Sequence, residues 1–146
     1  MSSKTIDLNT IVARTEMLRQ RLASVEVIIQ QLQAAIGSVK TALESLSAPE
    51  KAEKMLVPGD PGFNVMLRAQ IEDSSKVFYH IGSGIYAYID KDKAELYLTE
   101  RLANLSKMLS QLRSEREALA SELAQLEYII QAAIASAQQA QKSQKG

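Results

Sequence analysis

The sequence predicts a mainly α-helical chain with a small β part: a long antiparallel two-helix coiled coil with two β-hairpins inserted between the helices. Three observations carry this. Leu8, Ile11, Thr15, Leu18, Leu22, Val25, Ile29, Leu32, Ile36, Val39, Leu43 and Leu46 recur with unbroken three-then-four spacing. Leu98, Leu102, Leu105, Leu109, Leu112, Arg116, Leu119, Leu123, Leu126, Ile130, Ala133, Ala137 and Ala140 do the same near the other end. Between them the apolar period drops to two. A three-four repeat averages about 3.5 residues, the period at which helices supercoil around a partner. Two seams of similar length, joined by a middle segment, fit one chain folded back on itself, with each arm roughly 60 Å long.

The first helix is expected over about residues 5–47. Thr5 or Asp7 can cap its start, and Pro49 disfavours continuation. Gly37 costs about 1 kcal/mol inside a helix relative to Ala, and the long seam overrides it. Residues 54–90 are expected to form two β-hairpins. Phe63, Val65, Leu67, Ala69 and Ile71 alternate with Asn64, Met66, Arg68, Gln70 and Glu72, the pattern of a half-buried strand. The short run Met55, Leu56, Val57, closed by Pro58 and Gly59, reads as its partner strand. Val77, Tyr79 and Ile81 carry the alternation on, Gly82-Ser83-Gly84 makes a tight turn, and Ile85, Ala87 and Ile89 form the returning apolar face. The second helix is expected over about residues 92–139, with Asp92 and Glu95 as a capping box. Residues 141–146 read as a flexible polar tail. The whole is expected to be one domain.

Core positions whose numbers total 148 would pair Leu8 with Ala140, Thr15 with Ala133 and Arg116 with Leu32, and would place Arg19 near Glu127 and Arg21 near Glu122 on the flanks. A shift of one heptad, to a total of 141, is the alternative. Exposed flanking charges choose a register more than they add stability.

Lysine plus arginine and aspartate plus glutamate each number 17, so nothing points to nucleic acid as a ligand. There is no cysteine, which removes thiol chemistry and Cys-type zinc sites and suits a reducing cytoplasm. No stretch reads as a signal peptide or as a membrane span, so no membrane partner is expected. His80 is the only histidine. Standing on the polar side of a strand, it reads as a surface or interface residue, not a metal ligand. Gly82-Ser83-Gly84 lacks the spacing and following Lys-Ser/Thr of a phosphate loop, and Ser83 has no nearby base. No catalytic constellation, cofactor site or metal site is expected, and the chain is not read as an enzyme.

Two surfaces point to function. Four short strands leave unpaired edges, and Phe78, Tyr86 and Tyr88 lie opposite the main apolar set. The hairpins therefore read as an assembly surface through Val65, Leu67, Ile71, Val77, Tyr79, Ile81, Ile85, Tyr86 and Tyr88, or else as a sheet packed on the helices. At the end where the termini meet, Ile6, Val12, Met17, Ile28, Tyr128, Ile129 and Ile134 lie off the seam, beside the seam ends Leu8, Ile11 and Ile130. That excess of apolar surface suits either capture of another chain or packing of a third helix.

The order helix, two hairpins, helix, with heptads in both helices, resembles a prefoldin subunit. The string VPGDPGFNVMLRAQIEDSSKVFYHIGSGIYAYIDKDKAELYLTERL is similar to the α class, in particular the archaeal type. It has the proline-glycine segment after a Leu-Val-Pro strand, the lysine-led strand ending in Ile-Gly-Ser-Gly, the tyrosine-bearing strand after it and the acidic helix start. The β class carries one hairpin. The loop 59–62 departs from the pattern. The resemblance implies an ATP-independent cytoplasmic holdase chaperone in which two α-type and four β-type subunits join through their hairpins. The coiled-coil tips of that hexamer hold unfolded or nascent polypeptide for transfer to a group II chaperonin. It implies client contact at Ile6, Leu8, Ile11, Val12, Ile129, Ile130 and Ile134. A structural coiled-coil adaptor with one fixed protein partner is the alternative reading.

Overall fold

The structure, a computed structural model, describes the backbone of residues 3–47 and 54–145 and the side chains from residue 8 on. Pro49, the expected helix stop, and the side chains of Thr5, Ile6 and Asp7 lie outside the described residues. The elements are α1 (Ser3–Leu46), β1 (Met55–Pro58), β2 (Met66–Ala69), β3 (Lys76–Gly82), β4 (Ile85–Asp90) and α2 (Lys91–Gln144). Two long helices with two small antiparallel hairpins between them is the expected fold class.

Helix α1 passes through Gly37 unbroken, because Ile36 and Val39 on either side of it are buried. Its last turn closes where the Ser47 amide donates to Leu43 and Glu44 carbonyls and the Ser47 hydroxyl donates to Glu44 at 2.7 Å. Helix α2 starts one residue earlier than the capping-box reading, at Lys91, whose amide donates to the Ser75 carbonyl at 2.8 Å. It also runs on to Gln144, so residues 141–144 are helical, not a loose tail. Gln and Lys are good helix formers and no Gly or Pro interrupts them before Gly146.

The chain divides into two compact units, Met1–Ala35 with Ser106–Gly146, and Ile36–Leu105. In the first, the helices pair antiparallel, with Val25, Ile29 and Leu32 buried in the seam. Thr15, also in the seam, is 3% exposed and donates its hydroxyl to the Ile11 carbonyl at 2.7 Å, so burial leaves no polar atom unpaired. The ion pairs establish the register. Arg14 with Glu122 and Arg21 with Glu115 total 136 on one flank, and Arg19 with Glu127 totals 146 on the other. The flanks are centred on 141, so the seam pairs total 141 and not 148. Arg21 therefore meets Glu115 instead of Glu122, while Arg19 meets Glu127 as expected. Arg116 comes level with Val25 instead of Leu32, and its guanidinium leaves the seam toward Glu26 at 3.8 Å.

The stretch Leu8–Leu46 of α1 is long and apolar enough, by length and composition, to cross a membrane, which corrects the expectation that no run is. Part of its apolar set, Leu18, Val25, Ile29, Leu32, Ile36 and Val39, is buried, while Val12, Met17, Val27 and Ile28 are exposed and Gln30, Gln31 and Gln33 stay exposed with them.

The second unit contains the hairpins, each a separate two-stranded antiparallel sheet. β1 pairs with β2 with Met55 opposite Ala69 and Pro58 opposite Met66. β3 pairs with β4 with Val77 opposite Ile89 and His80 opposite Tyr86, and a bulge between His80 and Gly82 leaves Ile81 out of register. Gly82, Ser83 and Gly84 all take positive φ, the backbone that the glycines permit at that turn.

Candidate assembly and capture surfaces

The faces of the β3–β4 hairpin follow from its pleat. Val77, Tyr79, Ala87 and Ile89 share one face and are half-buried, and the Tyr79 ring lies 5.8 Å from Tyr97 of α2. Phe78, His80, Tyr86 and Tyr88 share the other face and are exposed, Phe78 by 71%. Cross-strand partners stack there. Phe78 and Tyr88 have centroids 4.7 Å apart, His80 and Tyr86 5.0 Å, and the Lys76 ammonium sits 5.3 Å over Tyr88. Such pairs strengthen a hairpin that has no third strand to lean on. Ile81 and Ile85 are exposed beside the turn, because the bulge rotates Ile81 away from the Val77 face.

Beside this hairpin lies an open cavity of about 390 Å³ whose walls include Leu46, Val77, Tyr79, Tyr86, Ala94 and Leu98. It is a recess that the period-two pattern could not reveal, since its walls come from four separate elements.

The first hairpin is shorter than its alternation suggests. β2 spans four residues, so Val65 lies in the loop before it and Ile71 beyond its end, and neither is a strand residue as expected. Leu67 is in β2 and exposed. The loop 59–65 is built around one carboxylate. Asp60 Oδ2 accepts from the Gly62 amide at 3.0 Å and from Asn64 Nδ2 at 2.8 Å, and Oδ1 accepts from the Val65 amide at 3.0 Å. These bonds, that of Asn64 foremost, hold the Asp60 carboxyl below its ordinary 3.8. A Cβ at position 62 would fall 2.7 Å from Asn64 Nδ2, so any other residue there would push the Asn64 amide aside from Asp60. Phe63 then takes φ 58° and is 67% exposed. Alternation counts Phe63 as a strand residue and misses this. The signal available was the Asp-Pro-Gly run before it.

On the helix pair the register brings apolar residues together across the two helices. Val12 and Ile134 total 146, the same flank as Arg19 with Glu127, and are exposed by 49% and 48%. Ile28 and Met108 total 136, the flank of Arg14 with Glu122, and both are exposed. Met108 was not among the residues singled out from sequence, because only the register shows that it faces Ile28. Of the other expected tip residues, Leu8 and Ile129 are exposed, Ile11 and Ile130 are half-buried in the seam, and the Ile6 side chain lies outside the described residues. Among the described residues, no three of His, Asp and Glu converge to hold a metal ion.

A prefoldin subunit family model matches residues 18–136. The chain is 32% identical to a prefoldin subunit alpha of Aeropyrum pernix over 92% of its own length and 91% of that relative. It is 31% identical to a prefoldin subunit alpha of Hyperthermus butylicus over 99% of its length and 94% of that relative. A cryo-EM structure of filamentous PFD from Methanocaldococcus jannaschii is similar at 22% identity and a TM-score of 0.41, over 88% of this chain and 95% of that one.

Proposed function

The chain belongs to the prefoldin family, whose members are non-enzymatic chaperone subunits, and on that premise we propose that it is the α-type subunit of an ATP-independent holdase of the cytoplasm. Two copies join four β-type subunits through the hairpins. The helix-pair ends hold unfolded or nascent polypeptide and release it to a group II chaperonin. The observation that carries this reading is the Val12 and Ile134 couple. Two β-branched side chains face each other across the helices outside the seam, each left about half exposed.

The mechanism is apolar capture. Burying such side chains against a client yields about 25 cal/mol per Å², so one helix pair holds weakly. Several acting together hold usefully, because the second contact is made at high effective concentration. The zero net charge favours clients of neither sign: Lys plus Arg equals Asp plus Glu over the chain. Gly82-Ser83-Gly84 joins two strands and does not open a helix, so nothing there cradles a phosphate, and suppression of aggregation should be equal with and without ATP.

The test replaces Val12 and Ile134 together by Ser, with the matching tips of the partner subunits altered likewise. Aggregation suppression of a chemically unfolded client should fall several-fold, while circular dichroism and complex mass hold. The same change at Leu32 or Leu112 should unfold the seam instead. Unchanged capture by the double variant would place the client site elsewhere.

A further inference from the structure

We propose that Gly37 is a built-in bending point of the helix pair: the two helices flex at the level of Gly37 and Asn104, so that the end carrying Val12 and Ile134 shifts while the seam stays closed. The bend itself stands apart from the capture reading, and only its use in capture rests on that reading.

Nothing in the folded chain requires glycine at position 37. Its backbone is helical and not left-handed, and a Cβ there would meet no atom within 4 Å. Alanine would fit without a clash and would hold the helix better, since glycine in a helix interior gives up more backbone freedom on folding. What glycine adds is softness. Ser38 follows it, and glycine-serine pairs are among the places where long helices bend. The Thr41 hydroxyl donates to the Gly37 carbonyl at 3.0 Å. A hydroxyl that shares a carbonyl with the helical amide loosens and bends the helix at that turn.

The surroundings are weak at the same level. The register of 141 sets Gly37 opposite Asn104, and Asn104 and Ser106 are poorer helix formers than the Leu and Lys beside them. From Val27 to Val39 α1 carries no charged residue, so no ion pair within the helix braces this stretch. Among the described residues, the ion pairs between the helices involve Arg14, Arg19, Arg21 and Glu26 of α1, and none lies from Val27 to Leu46. The division of the chain into compact units falls beside Gly37 as well, between Ala35 and Ile36 and between Leu105 and Ser106. Ile36 and Val39 are buried, so a bend that keeps them in the seam gives up little apolar burial.

Pairs of spin labels on α1 measure the bend in the full chain, assembled with its partner subunits and with labelled copies diluted among unlabelled ones. The chain has no cysteine, so introduced cysteines are labelled alone. Ser24→Cys with Ser45→Cys spans Gly37, and Ala13→Cys with Ala34→Cys does not. Each pair lies three heptads apart on one face, about 32 Å by helical rise, and all four sites are exposed. The spanning pair should give the broader distance distribution. Gly37→Ala should narrow it to the width of the control pair and raise the urea midpoint. Equal widths for the two pairs, or a spanning width that Gly37→Ala leaves unchanged, overturn the bending point. With a chemically unfolded client added, the spanning distribution should shift and the control should not. A client captured without that shift overturns the use of the bend in capture. A client that is not captured overturns the capture reading and leaves the bend standing, since the widths are measured without client.

Discussion

Asp60 and Thr15 show how single side chains set local structure. The hydrogen bonds from Asn64, Val65 and Gly62 favour the charged carboxylate of Asp60, so its folded pKa lies below the unfolded one. A depressed carboxylate contributes stability above its unfolded value and loses it as pH falls through the folded value. The loop is therefore expected to hold through neutral and mildly acid pH and to loosen only below the ordinary 3.8. The amide resonance of Val65 reports this directly, and a transition near pH 6 would contradict it. In the seam, Ile29 is 2% exposed and Ile29→Ala should cost about 2–5 kcal/mol through lost burial and a cavity. Thr15→Val should cost almost nothing or stabilise slightly, because the Ile11 carbonyl keeps its helix partner when the hydroxyl goes. Urea unfolding midpoints at constant slope separate the two.

At the scale of the helix pair, charge decides what apolar residues leave open. The seams accept a one-heptad slip, since nearly every core position is apolar in either register. A slip that raised each flank total by seven would keep only Arg21 with Glu122 and would set Glu26 against Glu127. The observed register instead gives Arg14, Arg19 and Arg21 each a glutamate on α2. Each exposed pair is worth less than about 1 kcal/mol, yet their sum suffices to choose between two equally apolar seams. The chain has no cysteine, so Val12→Cys with Ile134→Cys should form a disulfide readily on mild oxidation. Val12→Cys with Gln141→Cys, matched in the slipped register, should not. The opposite result would reverse the assignment.

At the scale of the whole molecule, apolar surface remains exposed on both compact units: Phe78, Tyr86 and Tyr88 on one, Val12 and Ile134 on the other. Two-stranded sheets are marginal by themselves, and here both hairpins leave edges open among the described residues. Replacing residues 54–90 by a short turn is expected to leave a helical hairpin that no longer enters a complex. Sedimentation of the shortened chain with its partner subunits checks this, and a complex of full mass would assign assembly to the helices.

The order of elements, both seams and the two hairpins were legible in the sequence because each rests on periodicity, a local property that reads the same in any context. The end of α2 was misjudged for a related reason: polar Gln and Lys look like a tail but are good helix formers, and only the helix behind them decides. Tertiary structure decided the register, because periodicity is unchanged by a shift of one heptad and the ion pairs of Arg14, Arg19 and Arg21 with glutamates of the other helix break the tie. It alone paired Val12 with Ile134 and Ile28 with Met108, which the same register brings level. Phe63 is a local matter instead: alternation runs on into a loop where the Asp60 carboxylate gathers the amides around it, and the Asp-Pro-Gly run was the signal for that turn.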